Sequence, residues 1–415
     1  MKFERFIAQR FMPRSKDGGG FSGPLSVIAV ASIALGVVVM IMAVSVLRGF
    51  QGEITRKVSG FGSHLTVTNY AINPTYQETP VTFDSALMDR MEQVKGVRHV
   101  QCYATKGGMV KTEEQIYGIM FRGMSSNYDT SFFSESLVEG RLPEIAKSSD
   151  TPSNEVLISS TIAQRLHLAV GDKMRTYFWQ NENYRARAFT VSGIYNTDLT
   201  EMDELYVIGD LRQVQRLNDW VDSSGASRVG GYELLVDDFD QLDAIASQLL
   251  EILPYYLSLQ TIKGANPALF AWLDLLNSNI SLILIIMCIV CMIAIVSALL
   301  IMIFEKGSTI GLLKALGATN ASVRKVFLLK ASRLIAQGIV IGDIVAFILC
   351  FAQKHWKLLK LDAESYHMEL VPVDTDPLIF LFISAGTLVA CLLALLLPAA
   401  YVSHISPAKT MRLEK

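Results

Sequence analysis

The sequence predicts a membrane α-helical protein of four transmembrane helices carrying one large α+β domain, and three observations predict it. The 415 residues are 51% hydrophobic but only 18% charged, short of the roughly 25% charge of a soluble globule, and mean hydropathy is +0.35. The apolar residues gather into four long runs. Between the first run and the second lies a segment of ordinary composition, in which strand-like alternation and helix-like spacing follow one another. With a formal net charge of −2, the chain offers no basic face for nucleic acid, which is not an expected partner.

Residues 1–24 set Phe3, Phe6, Ile7 and Phe11 among Arg5 and Arg10. That spacing suits an amphipathic helix lying in the membrane interface; a basic tail is the plainer alternative. Residues 25–47 form the first span, which has no charge and reaches about 34 Å at 1.5 Å per residue, enough for a hydrocarbon core of about 30 Å. Ala43-Val44-Ser45 mimics a signal-peptide cleavage site, but the apolar region of such a peptide is usually about 7–15 residues, and three more runs follow. The remaining spans are 277–304, 326–351 and 378–402, the third span being interrupted by Lys330, Arg333 and Asp343.

Lys and Arg in short flanks mark the cytoplasmic side. They gather before the first span (Lys2, Arg5, Arg10, Arg14, Lys16), in the 305–325 connection (Lys306, Lys314, Arg324, Lys325) and in the tail 403–415 (Lys409, Arg412, Lys415). Loop 352–377 instead offsets its lysines with Asp362, Glu364, Glu369, Asp374 and Asp376. Both termini are therefore expected in the cytoplasm, with 48–276 and 352–377 outside.

In the outer segment, strands are expected at 65–70, 97–105, 115–124, 155–159, 173–179, 186–195, 232–236 and 257–262. Helices are expected at 84–94, 160–168, 210–217 and 239–252, the first capped by Asp84. Strand–helix–strand patterns near both ends suggest a core of 48–124 and 226–276, with 125–225 inserted in it. Cys288, Cys291, Cys350 and Cys391 fall in spans, leaving Cys102 alone outside, so no intrachain disulfide is expected there.

Catalytic patterns are missing. There is no P-loop; Gly18, Gly20 and Gly23 match G-x-G-x-x-G but lead into a span rather than a βαβ unit, which makes a flexible hinge the better reading. Cys288-x-x-Cys291 sits in an apolar run without a second pair and reads as packing. The six histidines have no metal-ligand spacing, so no metal is expected.

Three patterns point to mechanical work. In the 305–325 connection, Ile310, Leu313, Lys314 and Gly317 fall at i, i+3, i+4 and i+7, a short amphipathic helix ended by a left-handed glycine. Such an apolar stripe fits a partner protein or the headgroup region. Gly338 and Gly342 allow close helix approach, and Asp343 beside them is a costly mid-span carboxylate, either a helix contact or an ion site. Beyond the first span, Phe50, Ile54 and Val58 share one face of a stalk, which transmits motion, lines a cavity for a lipidic cargo, or packs a core.

The order of one span, a large outer domain and three spans resembles the FtsX-like permeases of type VII ABC transporters, most closely the LolC/LolE permeases of the lipoprotein-releasing system. The resemblance runs from Phe6-Ile7-Ala8-Gln9-Arg10 through Ile33-Ala34-Leu35-Gly36-Val37 and Ser45-Val46-Leu47-Arg48-Gly49-Phe50. It continues through Glu139-Gly140-Arg141, Ala163-Gln164-Arg165-Leu166, Val170-Gly171-Asp172 and Phe189-Thr190-Val191-Ser192-Gly193. It is strongest at Glu305-Lys306, Ile310-Gly311 and Leu313-Lys314-Ala315-Leu316-Gly317-Ala318.

This resemblance implies an inner-membrane subunit with a periplasmic domain. It implies that the 305–325 helix is a coupling helix, with Glu305, Lys306, Ile310, Leu313, Lys314, Leu316 and Gly317 facing a LolD-like ATPase dimer. ATP and Mg would be bound by that partner, with no cofactor in this chain. A second permease subunit, identical or LolC/LolE-like, would complete a cavity for the acyl chains of a lipoprotein substrate. Met40, Val44, Leu47, Phe50 and Ile283 are carried to that cavity by position. A LolA-like periplasmic carrier would receive the cargo, although the hairpin that hooks it in LolC-type subunits corresponds here to a short stretch, 178–186. Trp179 and Tyr184 are its candidate contacts. Two alternatives remain: a permease that signals to a periplasmic partner, whose relatives have a smaller outer domain, and a MacB-like exporter, which usually carries its own ATPase.

Overall fold

The computed structural model describes residues 22–70, 79–112, 115–145, 151–180, 183–221, 227–305, 310–312, 314, 316–361, 368, 370–396 and 398. The expected interfacial helix before residue 22 and the tail 403–415 lie outside these. The chain divides into two compact units, one of 1–51, 272–360 and 370–415, the other of 52–271 and 361–369.

In chain order the elements are α1 (Ser22–Gly62), β1 (Leu65–Asn69), β2 (Val81–Thr82), α2 (Ser85–Glu92), β3 (Val97–Lys111), β4 (Ile116–Met124), α3 (Ser131–Glu135), β5 (Leu137–Gly140) and β6 (Glu155–Ser159). There follow α4 (Ser160–Leu166), β7 (Lys173–Gln180), β8 (Asn183–Tyr195), α5 (Thr200–Asp203), β9 (Tyr206–Asp210), α6 (Leu211–Leu217), β10 (Arg228–Val229), β11 (Gly231–Val236) and α7 (Leu242–Ile252). The last are β12 (Leu257–Thr261), α8 (Ile262–Ala265), α9 (Pro267–Glu305), α10 (Asn320–Trp356) and α11 (Pro377–Ala394).

Four of these helices, α1, α9, α10 and α11, are long and apolar enough to cross a membrane. In the first unit their shared core joins Ile33, Val37 and Ile41 of α1 to Ile295 and Leu299 of α9 and to Phe327 and Ile335 of α10. The glycine pair read from sequence is where α10 meets α1. A Cβ on Gly338 would lie 2.8 Å from Ile33 Cβ, and one on Gly342 would lie 2.8 Å from Val37 Cβ. Backbones this close maximise dispersion contact where lipid offers no hydrophobic drive. Asp343 makes a helix contact: Ser384 Oγ of α11 donates to its Oδ1 at 2.6 Å.

The turn after α10 is organised by Gln353, which is 5% exposed. Its amide donates to the carbonyls of Leu359 and Val371 at 3.1 and 3.2 Å, and its oxygen accepts from Leu359 N at 2.9 Å. The returning strand of loop lies on α1, where Asp374 N donates to the Ser45 carbonyl at 3.0 Å. Gly49 permits this, since a Cβ there would be 2.7 Å from the Pro372 backbone.

The second unit is built on a ten-stranded sheet of order β12-β1-β11-β3-β4-β9-β6-β8-β5, with β7 pairing both β3 and β8. All eight expected strands and all four expected helices are present, and Asp84 does cap α2, accepting from Ala86 N and Leu87 N. Strands from 48–124 and 226–276 share this one sheet with strands from 125–225, through the parallel pairing of β4 with β9 and the antiparallel pairing of β3 with β7. The end of α1 is held in this unit by Phe61, whose ring lies 5.3–6.2 Å from those of Phe132, Phe133, Tyr195 and Tyr206. Lys57 Nζ adds an ion pair to Asp198 at 2.9 Å. Arg122 and Glu233 form a buried pair, and Tyr128 Oη and Gln101 Nε2 also donate to Glu233, at 2.9 and 3.1 Å. These donors offset part of the cost of removing both charges from water.

Two groups in this unit titrate in opposite senses. Burial pushes the Asp203 carboxyl up to about 6, although Thr197 donates to it twice. The folded form then holds a proton that the unfolded chain has lost, so this group favours folding as pH falls from above 6 toward 4. Burial lowers His64 to about 4, and its Nδ1 accepts from Val236 N at 3.2 Å. The unfolded histidine binds its proton first, so this group disfavours folding over much the same interval. Asp203→Asn removes only the first slope, worth up to about 3 kcal/mol at roughly 1.4 kcal/mol per pK unit. Thermal melts of the purified variant should therefore fall more steeply between pH 6.5 and 4.5 than those of the parent; parallel profiles would refute the assignment.

Candidate functional site

The residues singled out from sequence fall in three places. The first is the connection from α9 to α10. Glu305 closes α9, while Lys306 and Leu313 lie outside the described residues. Ile310 is 1% exposed and belongs to the helix core together with Val323 and Phe327. It is thus an anchor for the connection and not part of an exposed stripe. Leu316 N donates to the Leu312 carbonyl at 3.0 Å, which makes one helical turn. Gly317 ends that turn with φ +94°, its N–H donating to the Lys314 carbonyl at 3.1 Å. Thr319 then caps α10, accepting from Ser322 N.

The outward apolar pair is Leu312, 56% exposed, and Leu316, 77% exposed. Two and six residues past Ile310, they are rotated about 200° and 240° from it at roughly 100° per residue. A stripe that starts at Ile310 in the sequence passes Leu312 by, because Ile310 faces the helix core. The spacing of four between the two leucines is the signal that finds it.

The second place is α1 beside α9. Met40 is buried in the helix core, so it packs the bundle and does not line an open surface. Val44 and Leu47 are partly buried. Phe50 is buried, with Trp272 edge-on to it at 5.5 Å between ring centroids. Ile283 is exposed. The context of Ile283 is informative: after Leu273, α9 buries no residue until Cys291, then buries Ile295, Ala298, Leu299, Met302 and Ile303. The stretch 274–290, about 25 Å of helix, exposes Leu275, Leu282, Ile283, Ile285, Ile286, Ile289 and Val290. One half of this helix is packed at helical spacing; the other buries no residue, and from Leu282 to Val290 it is apolar on every side.

The third place is the β7–β8 hairpin of the second unit. Its ladder runs to the Gln180–Asn183 pair, so the hairpin is short, as the sequence suggested. Trp179 and Tyr184 face each other across it, ring centroids 4.7 Å apart and planes at 69°, about half exposed. Their wall position comes from strand alternation, which turns Phe178 into the core.

None of these places carries a nucleophile–base pair, and among the described residues no group of three His, Cys, Asp or Glu side chains could hold a metal ion. What the arrangement offers is surface: an exposed leucine pair on a short connection, and the largely exposed apolar stretch 282–290 of α9.

A family model described as MacB-like periplasmic core domain matches residues 26–252, and another described as FtsX-like permease C-terminal matches 281–407. The lipoprotein-releasing system transmembrane protein LolC of Xylella fastidiosa (strain Temecula1) is 24% identical, with 98% of each chain covered. The lipoprotein-releasing system transmembrane protein LolE of Haemophilus influenzae (strain KW20) is 21% identical, again with 98% of each covered. Among solved structures, the periplasmic region of MacB from Actinobacillus actinomycetemcomitans is 13% identical, covering 51% of this chain and 95% of that one at a TM-score of 0.35.

Proposed function

The chain belongs to the family of the MacB-like periplasmic core domain, and from that premise we propose that it is the permease subunit of an ABC transporter that extracts lipoproteins from the outer leaflet of the inner membrane. In this reading all four apolar helices span the bilayer, both termini are cytoplasmic, and the sheet-bearing unit is periplasmic. A separate LolD-like ATPase dimer binds ATP and Mg and docks on Leu312 and Leu316. A second permease subunit faces the first, and the lipoprotein passes to a LolA-like carrier, with Trp179 and Tyr184 as candidate contacts.

One observation carries the reading: the apolar stretch 282–290 of α9, in which no residue is buried and most are exposed. A helix apolar on every side is stable only against lipid, another helix or an apolar ligand. An acyl chain needs no hydrogen-bond partner and fits such a wall. Lys57 and Phe61, gripped in the second unit, and the buried Ile310 in the first give an ATPase stroke firm points to act on.

Depletion of the protein should leave outer-membrane lipoproteins stranded in the inner membrane, read by fractionation and immunoblotting. Correct sorting would reject extraction in favour of a permease that activates a periplasmic partner.

A further inference from the structure

The corner of the first unit where α10 ends is apolar and cationic at once. Seven residues in a row, Lys354-His355-Trp356-Lys357-Leu358-Leu359-Lys360, are exposed, Trp356 at 67% and Leu358 at 66%. Their backbone is held in one arrangement. Lys357 takes a left-handed φ of +50°, and Gln353 pins Leu359 by donating to its carbonyl and accepting from its N–H. Water is a poor environment for Trp356, Leu358 and Leu359, and hydrocarbon is a poor one for the three lysines. Only the headgroup layer of a bilayer suits both, with tryptophan in the interface and lysine stems lying along it.

Leading up to this corner, α10 carries a strip of stacked rings. Phe347 and Phe351 lie 6.3 Å apart between centroids with planes at 22°, and Phe351 and His355 6.0 Å apart at 10°. Both phenylalanines are more than half exposed. At roughly 100° per residue, Lys354 falls about 20° to one side of Phe347 and His355 about 80° to the other, so all four share one face about 12 Å long. Among the described residues Lys354, Lys357 and Lys360 form no ion pair. The carboxylates of Asp374 and Asp376 in the same loop are turned onto backbone, accepting from Asp376 N and Leu378 N, while Asp362, Glu364 and Glu369 lie outside the described residues.

We propose that this face of α10 binds one anionic phospholipid, its acyl chain along Phe347 and Phe351 and its phosphate at Lys354, His355 and Lys357. The rings ask for a partner without hydrogen-bonding groups and the lysines ask for an anion; a phospholipid carries both in one molecule. An apolar partner helix would leave the lysines unpaired, and a free anion would leave the rings uncovered. The site requires that α10 cross a bilayer and is independent of what cargo the protein handles. In the orientation proposed above it lies in the outer leaflet.

The test uses the full chain in lipid nanodiscs doped with phosphatidylglycerol bearing a diazirine on one acyl chain, or with phosphatidylcholine bearing the same tail. Crosslinks are mapped by mass spectrometry to 347–355, with the exposed Leu381 and Phe382 of α11 as the reference for bulk lipid. A lysine near an anionic headgroup contributes about fivefold in affinity, so at low salt phosphatidylglycerol should label 347–355, relative to the reference, roughly tenfold or more above phosphatidylcholine. Lys354→Gln, Lys357→Gln and Lys360→Gln together should bring the two lipids within about twofold of each other, whereas arginine at the same three positions should keep the preference. Phe347→Ala with Phe351→Ala should lower labelling by phosphatidylglycerol and leave the reference unchanged. Equal labelling by the two lipids in the parent, or a preference that survives the glutamine variant, overturns the site. Competition by inorganic phosphate would make it a site for a free anion, and loss of labelling when partner subunits bind would assign the face to protein; either result overturns the phospholipid.

Discussion

Replacing Leu312 and Leu316 together by aspartate should strip the ATPase from the complex while the rest of the chain stays folded. Both side chains are largely exposed in the isolated chain, and burying an exposed leucine at an interface contributes roughly 1.5–3 kcal/mol. Losing even half of that at both positions weakens binding by roughly 10- to 150-fold, before the cost of desolvating two new carboxylates. Copurification of the tagged chain with its ATPase reads the result directly. Ile310→Asp is the contrasting variant: it places a charge in the helix core and should deplete the protein from the membrane altogether. Normal recovery of the ATPase with the Leu312 and Leu316 variant would place the docking surface elsewhere.

The second large effect is expected from valine at Gly338 and Gly342. The atoms a Cβ would meet are Ile33 Cβ and Val37 Cβ, with the Val30 and Ala34 carbonyl oxygens at 3.1 and 2.9 Å. These are branched carbons and helix backbone with no flexible end to swing away, so α1 and α10 must separate. Overpacking costs about 1–3 kcal/mol per site, occasionally more, and two sites one turn apart act on the same seam. The double variant should lose most of its folded population, measured as the midpoint of a detergent melt and as steady-state abundance. Gly386→Ala, where a Cβ meets nothing within 4 Å, supplies the neutral control. An unshifted melt for the valine pair would mean that α1 and α10 do not meet there.

Much of this architecture was legible because its signals are local. Four apolar runs need only length and composition. The period-two alternation of residues such as 173–179 places Met174, Thr176 and Phe178 inside, and the caps at Asp84 and Gly317 follow from residue chemistry at helix ends. What stayed hidden depends on partners distant in sequence. Ile310 and Leu312 differ little in composition, and only the bundle decides which of them points inward. Met40 looked available for a ligand because a span that is apolar all round has no polar face from which to infer its buried one. The same uniformity concealed the contrast between the two halves of α9. Two-residue strands such as β2 and β10 are too short to alternate. The sharing of one sheet by 125–225 and its flanks rests on the pairings of Met120–Met124 with Tyr206–Asp210 and of Gly108–Val110 with Thr176–Phe178, which no window of sequence contains.

The placement of β1 sets a timetable for biogenesis. This strand lies between β11 and β12, and Leu65 is in register with Leu234 on one side and Thr261 on the other. At ribosomal speeds of about 5–20 residues per second, roughly 10–40 s separate the emergence of β1 from that of its last neighbour. Until β11 and then β12 follow, its Leu65 and Val67 side chains and the edges of its backbone are without their final companions. A nascent chain in this condition is open to β-pairing with other unfinished chains, so the interval between emergence of the first strand and arrival of the last is when a holdase would matter most.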